Sequence, residues 1–218
     1  MPPRAAFIRR RRTIADPAVS AGRIIECMQL LRPPEGVLAD VLMSLRVLSV
    51  GDVDALAGYA GRDGAWLPSL KRRCAAGALP LDGRGWLAAW AGDGSDHGPA
   101  LVLTTTRSPW FVGYVGFTSR GAGTVGLSCG VAPSWRGRDL ATRAVGLAAD
   151  WLIRERDAQM VEFRAGRDSP ACQRVAVKAG FSLAGTVSRA IEATGDLFED
   201  LRYIITAGGR RVHPRSAL

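Results

Sequence analysis

Residues 124–181 read TVGLSCGVAPSWRGRDLATRAVGLAADWLIRERDAQMVEFRAGRDSPACQRVAVKAGF. Thr124–Val131 has the composition of a strand. It runs into a basic turn with one glycine, Trp135-Arg136-Gly137-Arg138-Asp139, and a helix is predicted over Asp139–Arg156. Leu140, Ala144, Leu147, Ala148 and Trp151 fall on one face of that helix. The order strand, basic turn, helix matters because a helix N-terminus carries unpaired backbone N–H groups and a partial positive charge. A turn that aims them outward between two arginines suits a phosphate or diphosphate. Met160–Ala165 reads as a buried strand. Ser169-Pro170 is an N-cap and N1 pair, and Gly180 sits where a helix places its C′ residue.

Working outward, Ala100–Thr106 and Trp110–Thr118 read as strands joined by a turn at Ser108-Pro109. Phe181–Val187 and Phe198–Thr206 close the pattern. Leu45–Leu48 is predicted as the first strand. Ser49-Val50-Gly51-Asp52 has a capping-box pattern ahead of a helix with Val53, Leu56 and Ala57 on one face. A second helical stretch is expected at 69–76, ending at Gly77, and 85–91 is ambiguous. Residues 1–42 show no period and include Arg9-Arg10-Arg11-Arg12. The organisation expected is therefore an N-terminal extension over 1–42, partly disordered, one domain over 43–206, and a basic tail over 207–218. Strands and helices alternate in the second half, which gives an α/β sheet.

Two paired patterns carry a family resemblance. Arg136-Gly137-Arg138-Asp139-Leu140-Ala141 overlays the turn Arg/Gln-x-x-Gly-x-Gly/Ala, with Asp139 where the family usually has glycine. Ser169, Cys172, Ala176, Lys178, Gly180 and Phe181 follow the motif Asn-x-x-Ser-(three residues)-Ala-x-Lys-x-Gly-Phe, with serine in place of the asparagine. The block resembles the acetyl-CoA-binding core of the GNAT superfamily of N-acetyltransferases, in particular the subgroup of ribosomal-protein N-terminal acetyltransferases (RimJ/RimL-like). The likeness is strong over 110–206, weaker over 45–109 and absent from 1–42. It implies a GNAT-like α/β fold: a mixed, mostly antiparallel central sheet, helices on both faces, and a V-shaped splay between two central strands.

The resemblance also implies acetyl-CoA as co-substrate, held by Arg136, Gly137, Arg138, Asp139, Leu140, Ala141 and Thr142 at the diphosphate. Cys129 and Val131 would meet the pantetheine arm, and Ser169 would stand in for the family's asparagine. Cys172 takes the place of a residue near the sulfur of CoA. It is the candidate catalytic residue, a thiol able to return a proton to the departing thiolate. Asp139, in a first helical turn, is expected to point away from the phosphates. Some relatives carry a glutamate on the strand before the turn; the matching place here is near Gly126, so no base carries over. Glu162, Glu199 and Asp200 are the carboxylates available elsewhere. Gly130 suggests a bulge or a close backbone approach.

Composition bounds the alternatives. Cys27, Cys74, Cys129 and Cys172 have no metal-ligand spacing, and His97 and His213 are the only histidines, so no metal is expected. With no transmembrane run and no signal-like start, a cytoplasmic chain with free thiols is expected, without a membrane partner. The net charge of +9 is concentrated at the ends, +3 over 1–44 and +3 over 207–218, so a nucleic-acid partner is not expected. The expected activity is acetyl transfer to a primary amine, a protein N-terminus or a small molecule, by a monomer or homodimer. The alternative is a non-catalytic acyl-CoA-binding or regulatory protein.

Overall fold

The computed structural model describes residues 34–47, 49, 52, 97–190 and 197–209. Among the described residues eight strands form one sheet. In chain order they are β1 (Leu38–Ala39), β2 (Met43–Val47), β3 (His97–Thr105), β4 (Ser108–Gly121), β5 (Thr124–Val131), β6 (Met160–Gly166), β7 (Ser182–Ala190) and β8 (Leu197–Thr206). Among the described residues the two α-helices, α1 (Leu140–Glu155) and α2 (Pro170–Lys178), follow β5 and β6. The sheet order is β1-β2-β3-β4-β5-β6-β8-β7. Every neighbouring pair is antiparallel except β5 and β6, which α1 connects as a crossover between parallel strands.

The register of that parallel pair shapes the molecule. It runs from Thr124↔Met160 to Leu127↔Phe163 and stops. Beyond it, β5 stays with β4, Gly130 opposite Tyr114 and Val131 opposite Gly113. β6 stays with β8, Arg164 opposite Arg202 and Gly166 opposite Asp200. The sheet therefore parts into two halves, the V-shaped splay that the resemblance implied. A polar backbone seldom gives up a ladder inside a fold unless something else uses the freed groups.

An apolar core lies on one face of the sheet, while Val102 and Tyr114, which alternate with its members along β3 and β4, are buried on the other. Leu45, Leu103, Val115, Val125 and Leu127 meet Leu140, Ala144, Val145, Ala148 and Leu152 of α1, and Phe117 packs tilted against Trp151 at 5.7 Å. Phe163 and Phe181 meet edge-on at 6.3 Å, and Ala176 of α2 closes that end. The two described helices share this face; the helical stretches expected at 53–57 and 69–76, and the ambiguous 85–91, lie outside the described residues. α2 ends as its sequence predicts. Gly180 has φ +89°, and the N–H groups of Gly180 and Phe181 donate to the carbonyls of Val177 and Ala176. That is a Schellman motif with glycine at C′.

Two local readings need correction. The β3–β4 turn is at Thr106-Arg107, since Thr105 already pairs with Ser108. Pro109 is then inside β4, where the next pair is Leu103↔Gly113 and the ladder is interrupted. A missing N–H is tolerated at such an irregularity. Gly130 forms no bulge, because β4 and β5 pair regularly there; the close approach is made by Gly113, whose missing Cβ would lie 2.4 Å from the Gly130 carbonyl oxygen.

The sheet also begins earlier than the boundary expected at 43. β1 pairs Leu38 with Leu45 and Ala39 with Ser44. Between them Asp40 accepts from the N–H groups of Leu42 and Met43 at 2.8 and 2.9 Å, an Asx turn. Its second oxygen accepts from Arg143 of α1 at 2.8 Å. Residues 34–42 thus pack on the domain, while 1–33 and 210–218 lie outside the described residues.

Candidate active site

The two halves of the sheet, the turn before α1 and one face of α2 enclose a cleft of about 690 Å³. Its floor is Cys129, Gly130 and Val131 on β5 with Phe163 across the splay on β6. Its rim is the turn from Trp135 to Thr142. Its far wall is the stripe Ala171, Arg174, Val175 and Lys178 of α2, with Cys172 beside it. Those four positions follow the i, i+3, i+4, i+7 spacing of one helix face.

The turn is built by backbone geometry. Pro133–Trp135 make one 3-10 turn, Gly137 has φ +76°, and Asp139, the N-cap of α1, has φ 61° and ψ 10°. Position 139 is thus left-handed, a conformation that glycine adopts without strain and that aspartate and asparagine tolerate best among the rest. The family's glycine and this chain's aspartate answer the same backbone demand. No side chain caps α1. Among the described residues, the N–H groups of Leu140, Ala141 and Thr142 have no acceptor; the first helical bond runs from Arg143 N–H to the Asp139 carbonyl. Three donors and the positive end of a 16-residue helix therefore face the cleft.

The side chains around the turn are mostly committed. Arg136 donates through Nε to the Val131 carbonyl at 3.0 Å, and Arg138 donates to the Ser134 carbonyl at 3.3 Å. The Arg138 guanidinium also lies 4.9 Å from the centre of the Trp135 ring. The Asp139 carboxylate accepts from Thr142 Oγ1 at 3.1 Å and from Lys178 Nζ at 3.0 Å. The Lys178 bond first, then that of Thr142, holds the Asp139 carboxyl below its ordinary value. Asp139 is the N-cap of α1, and its half-exposed carboxylate points toward Lys178. It reaches along the rim and joins the start of α1 to α2.

On the floor, burial and the nearby Cys172 push the Cys129 thiol up to about 12, so it stays protonated at ordinary pH. Cys172, in the first turn of α2, is exposed. The structure thus brings Cys129, Val131, Arg136, Gly137, Arg138, Asp139, Leu140, Ala141, Thr142 and Cys172 to one cleft. Ser169 stays out of it: this residue is the N-cap of α2, its N–H donating to the Gly166 carbonyl and its own carbonyl accepting from Gln173. The residues that sequence reasoning did not assign to the site are Trp135, Phe163, Ala171, Arg174, Val175 and Lys178. The helical spacing of the α2 stripe could have found four of them.

The candidate carboxylates lie elsewhere. Glu162 points away from the cleft-facing Phe163 and is 3% exposed. It accepts from Arg164 Nε at 2.6 Å and Arg202 Nε at 2.5 Å, with Arg120 at 3.8 Å. Gly126 leaves room for that third guanidinium, since a Cβ there would sit 2.9 Å from Arg120 Nε. Glu199 pairs with Arg167, and Asp200 is buried on β8. Among the described residues no cluster of three metal-ligating side chains occurs, and no helix is long and apolar enough to cross a membrane.

The comparisons with known proteins agree with this geometry. The family model described as acetyltransferase (GNAT) domain matches residues 43–182. Among curated proteins none matches the sequence. Solved structures of similar fold include a GNAT-family acetyltransferase from Bacillus anthracis, 12% identical with TM-score 0.63, covering 79% of this chain and 99% of that one. Another is the ribosomal L7/L12 alpha-N-protein acetyltransferase RimL in complex with coenzyme A, 16% identical with TM-score 0.59, covering 78% and 98%. A third is a spermidine N-acetyltransferase chimera from Vibrio cholerae and hSSAT, 15% identical with TM-score 0.59, covering 76% and 96%. With the family match spanning more than half of its length and the splayed sheet underneath it, this chain belongs to the GNAT acetyltransferase family.

Proposed function

We propose that this protein transfers the acetyl group of acetyl-CoA to a primary amine, a protein N-terminus or a small-molecule amine, by direct attack on the thioester. The observation that carries the reading is the uncapped start of α1 opening onto the gap between β5 and β6. The free N–H groups of residues 140–142 take the diphosphate, with Gly137 letting the backbone come close. The pantetheine arm lies against β5 beyond Leu127, where the strand edge has no partner in β6, and its amides bond to that edge as an added strand would. The thioester then rests near Cys129 and Cys172.

The amine nitrogen attacks the carbonyl carbon, the C–S bond breaks from the tetrahedral intermediate, and the thiolate takes a proton from the Cys172 thiol. Cys172 recovers its proton from the amine through solvent. Asp139, the only carboxylate lining the cleft among the described residues, is tied to Lys178 and Thr142. The acceptor must therefore arrive as a free amine, and catalysis rests on positioning and on hydrogen bonds to the carbonyl oxygen.

That same shortage of a base favours a second reading, a non-catalytic acyl-CoA binder. Titration calorimetry with acetyl-CoA tests the binding step. Arg138→Glu should weaken it at least tenfold, about 1.4 kcal/mol, without changing the melting temperature. Mass spectrometry of an amine panel incubated with acetyl-CoA tests transfer. Tight binding with no acetylated product would favour the second reading, no binding of acetyl-CoA by wild type would sink both, and unchanged affinity in Arg138→Glu would remove Arg138 from the diphosphate site.

A further inference from the structure

Four cationic side chains line the cleft: Arg136, Arg138, Arg174 and Lys178. Three of them already have partners. Arg136 and Arg138 are turned back onto carbonyls of their own loop, and Lys178 is held by Asp139. Arg174 differs. It is exposed, it lines the cleft, and it has no ion-pair or hydrogen-bond partner among the described residues. It stands one helical turn from Lys178 on the cleft-facing stripe of α2, about 6 Å along that face. Lys178 touches Asp139 at the start of α1, so the stripe faces the turn across the cleft. An arginine side chain presents a planar fork suited to phosphate oxygens, and Arg174 lines the same cleft as the turn.

We propose that Arg174 is a second, side-chain jaw for the diphosphate of the co-substrate, closing from α2 on the anion that the α1 turn holds from below. The proposal rests on the acetyl-CoA reading above and adds a residue to it. Backbone N–H groups of α1 fix the position of the diphosphate, and Arg174 adds a guanidinium whose donors are not already turned back onto the loop as those of Arg136 and Arg138 are. Since the guanidinium meets the ligand from the opposite wall, binding ties α2 to α1. The ligand thereby bridges the two halves of the splayed sheet.

The test compares three probes by titration calorimetry in the full chain: acetyl-CoA, its 3′-dephospho form, and S-acetylpantetheine, which carries no phosphate. Arg174→Met keeps the length and the helix propensity of an exposed position. It should lower affinity for acetyl-CoA and for the dephospho form by about tenfold alike, and leave the much weaker S-acetylpantetheine unchanged. Arg174→Lys should restore part of the loss, and raising the salt concentration should narrow the gap between wild type and Arg174→Met. Unchanged binding of acetyl-CoA in Arg174→Met overturns the proposal. So does a loss confined to acetyl-CoA, which would assign Arg174 to the 3′-phosphate, or an equal loss for all three probes. If wild type binds none of the probes, the acetyl-CoA reading itself falls and takes this proposal with it. Binding by wild type with no effect of Arg174→Met overturns the proposal alone.

Discussion

Asp139 shows how one residue can break a motif and still obey its physics. The motif position requires a left-handed backbone, and aspartate accepts it at modest cost where most residues would not. What aspartate adds is a carboxylate on an anion-binding rim. That carboxylate holds Lys178 at 3.0 Å and takes the Thr142 hydroxyl, two donors suited to a phosphate. Asp139→Asn keeps the tolerance for the left-handed backbone and removes the charge. The expected result is a severalfold gain in acetyl-CoA affinity by calorimetry, since the diphosphate no longer competes with a like charge. A loss of affinity would mean that Asp139 holds Lys178 in its productive place. The break in the motif was visible in the sequence. Its partner was not, because Lys178 is 39 residues away and meets Asp139 only once α2 packs beside α1.

At the scale of elements, the edge of the sheet extends into a segment with no readable period. Two residues of β1 are too few to show alternation, and what holds them is a set of contacts to other elements. Asp40 closes the β1–β2 turn with two backbone bonds and reaches Arg143 on α1, 103 residues away. A chain that starts at Met43 loses all three bonds and uncovers one edge of β2. It should remain folded but melt roughly 2–4 °C below a chain that starts at Pro34, the shift expected for about 1 kcal/mol in a domain of this size. Identical melting temperatures would restore the boundary at 43. The strands and helices from 124 onward were legible because each is long enough to show its period and carries its own stop signal, as Gly180 does for α2.

At the scale of the whole molecule, buried carboxylates link distant strands and make stability depend on pH. Burial raises the Glu162 carboxyl, but the Arg202 and Arg164 hydrogen bonds outweigh it and leave the group below its ordinary value of 4.5. Asp52, fully buried, behaves alike: burial raises it, while the Arg46 pair at 2.6 Å and the Ser49 bonds bring it below 3.8. Both carboxyls hold protons less readily when folded than when unfolded. Their contribution is complete above those ordinary values and is lost as pH falls through the lower, folded ones. The melting temperature should therefore be flat near neutrality and fall below about pH 4. Glu162→Gln leaves three guanidinium groups around a neutral amide and should cost about 3 kcal/mol at pH 7, with a shallower acid slope. A melting temperature equal to wild type would show that Glu162 is dispensable to the sheet.

The sequence alone determined the elements from 124 to 206 and the kind of ligand their turn suits. Strand alternation, helix spacing, the N-cap and C′ residues and the basic turn are all local, and local geometry follows from side-chain size, charge and permitted φ. The tertiary structure alone decided which groups share the cleft and which do not. It put Arg174 and Lys178 of α2 opposite the α1 turn, left Ser169 outside as a helix cap, and wrapped Glu162 in arginines from three strands. Those outcomes depend on where β5 and β6 part after Leu127 and Phe163. That point is set by how both sheet halves pack on α1 and α2, a balance among residues far apart in the chain that no short window of sequence contains.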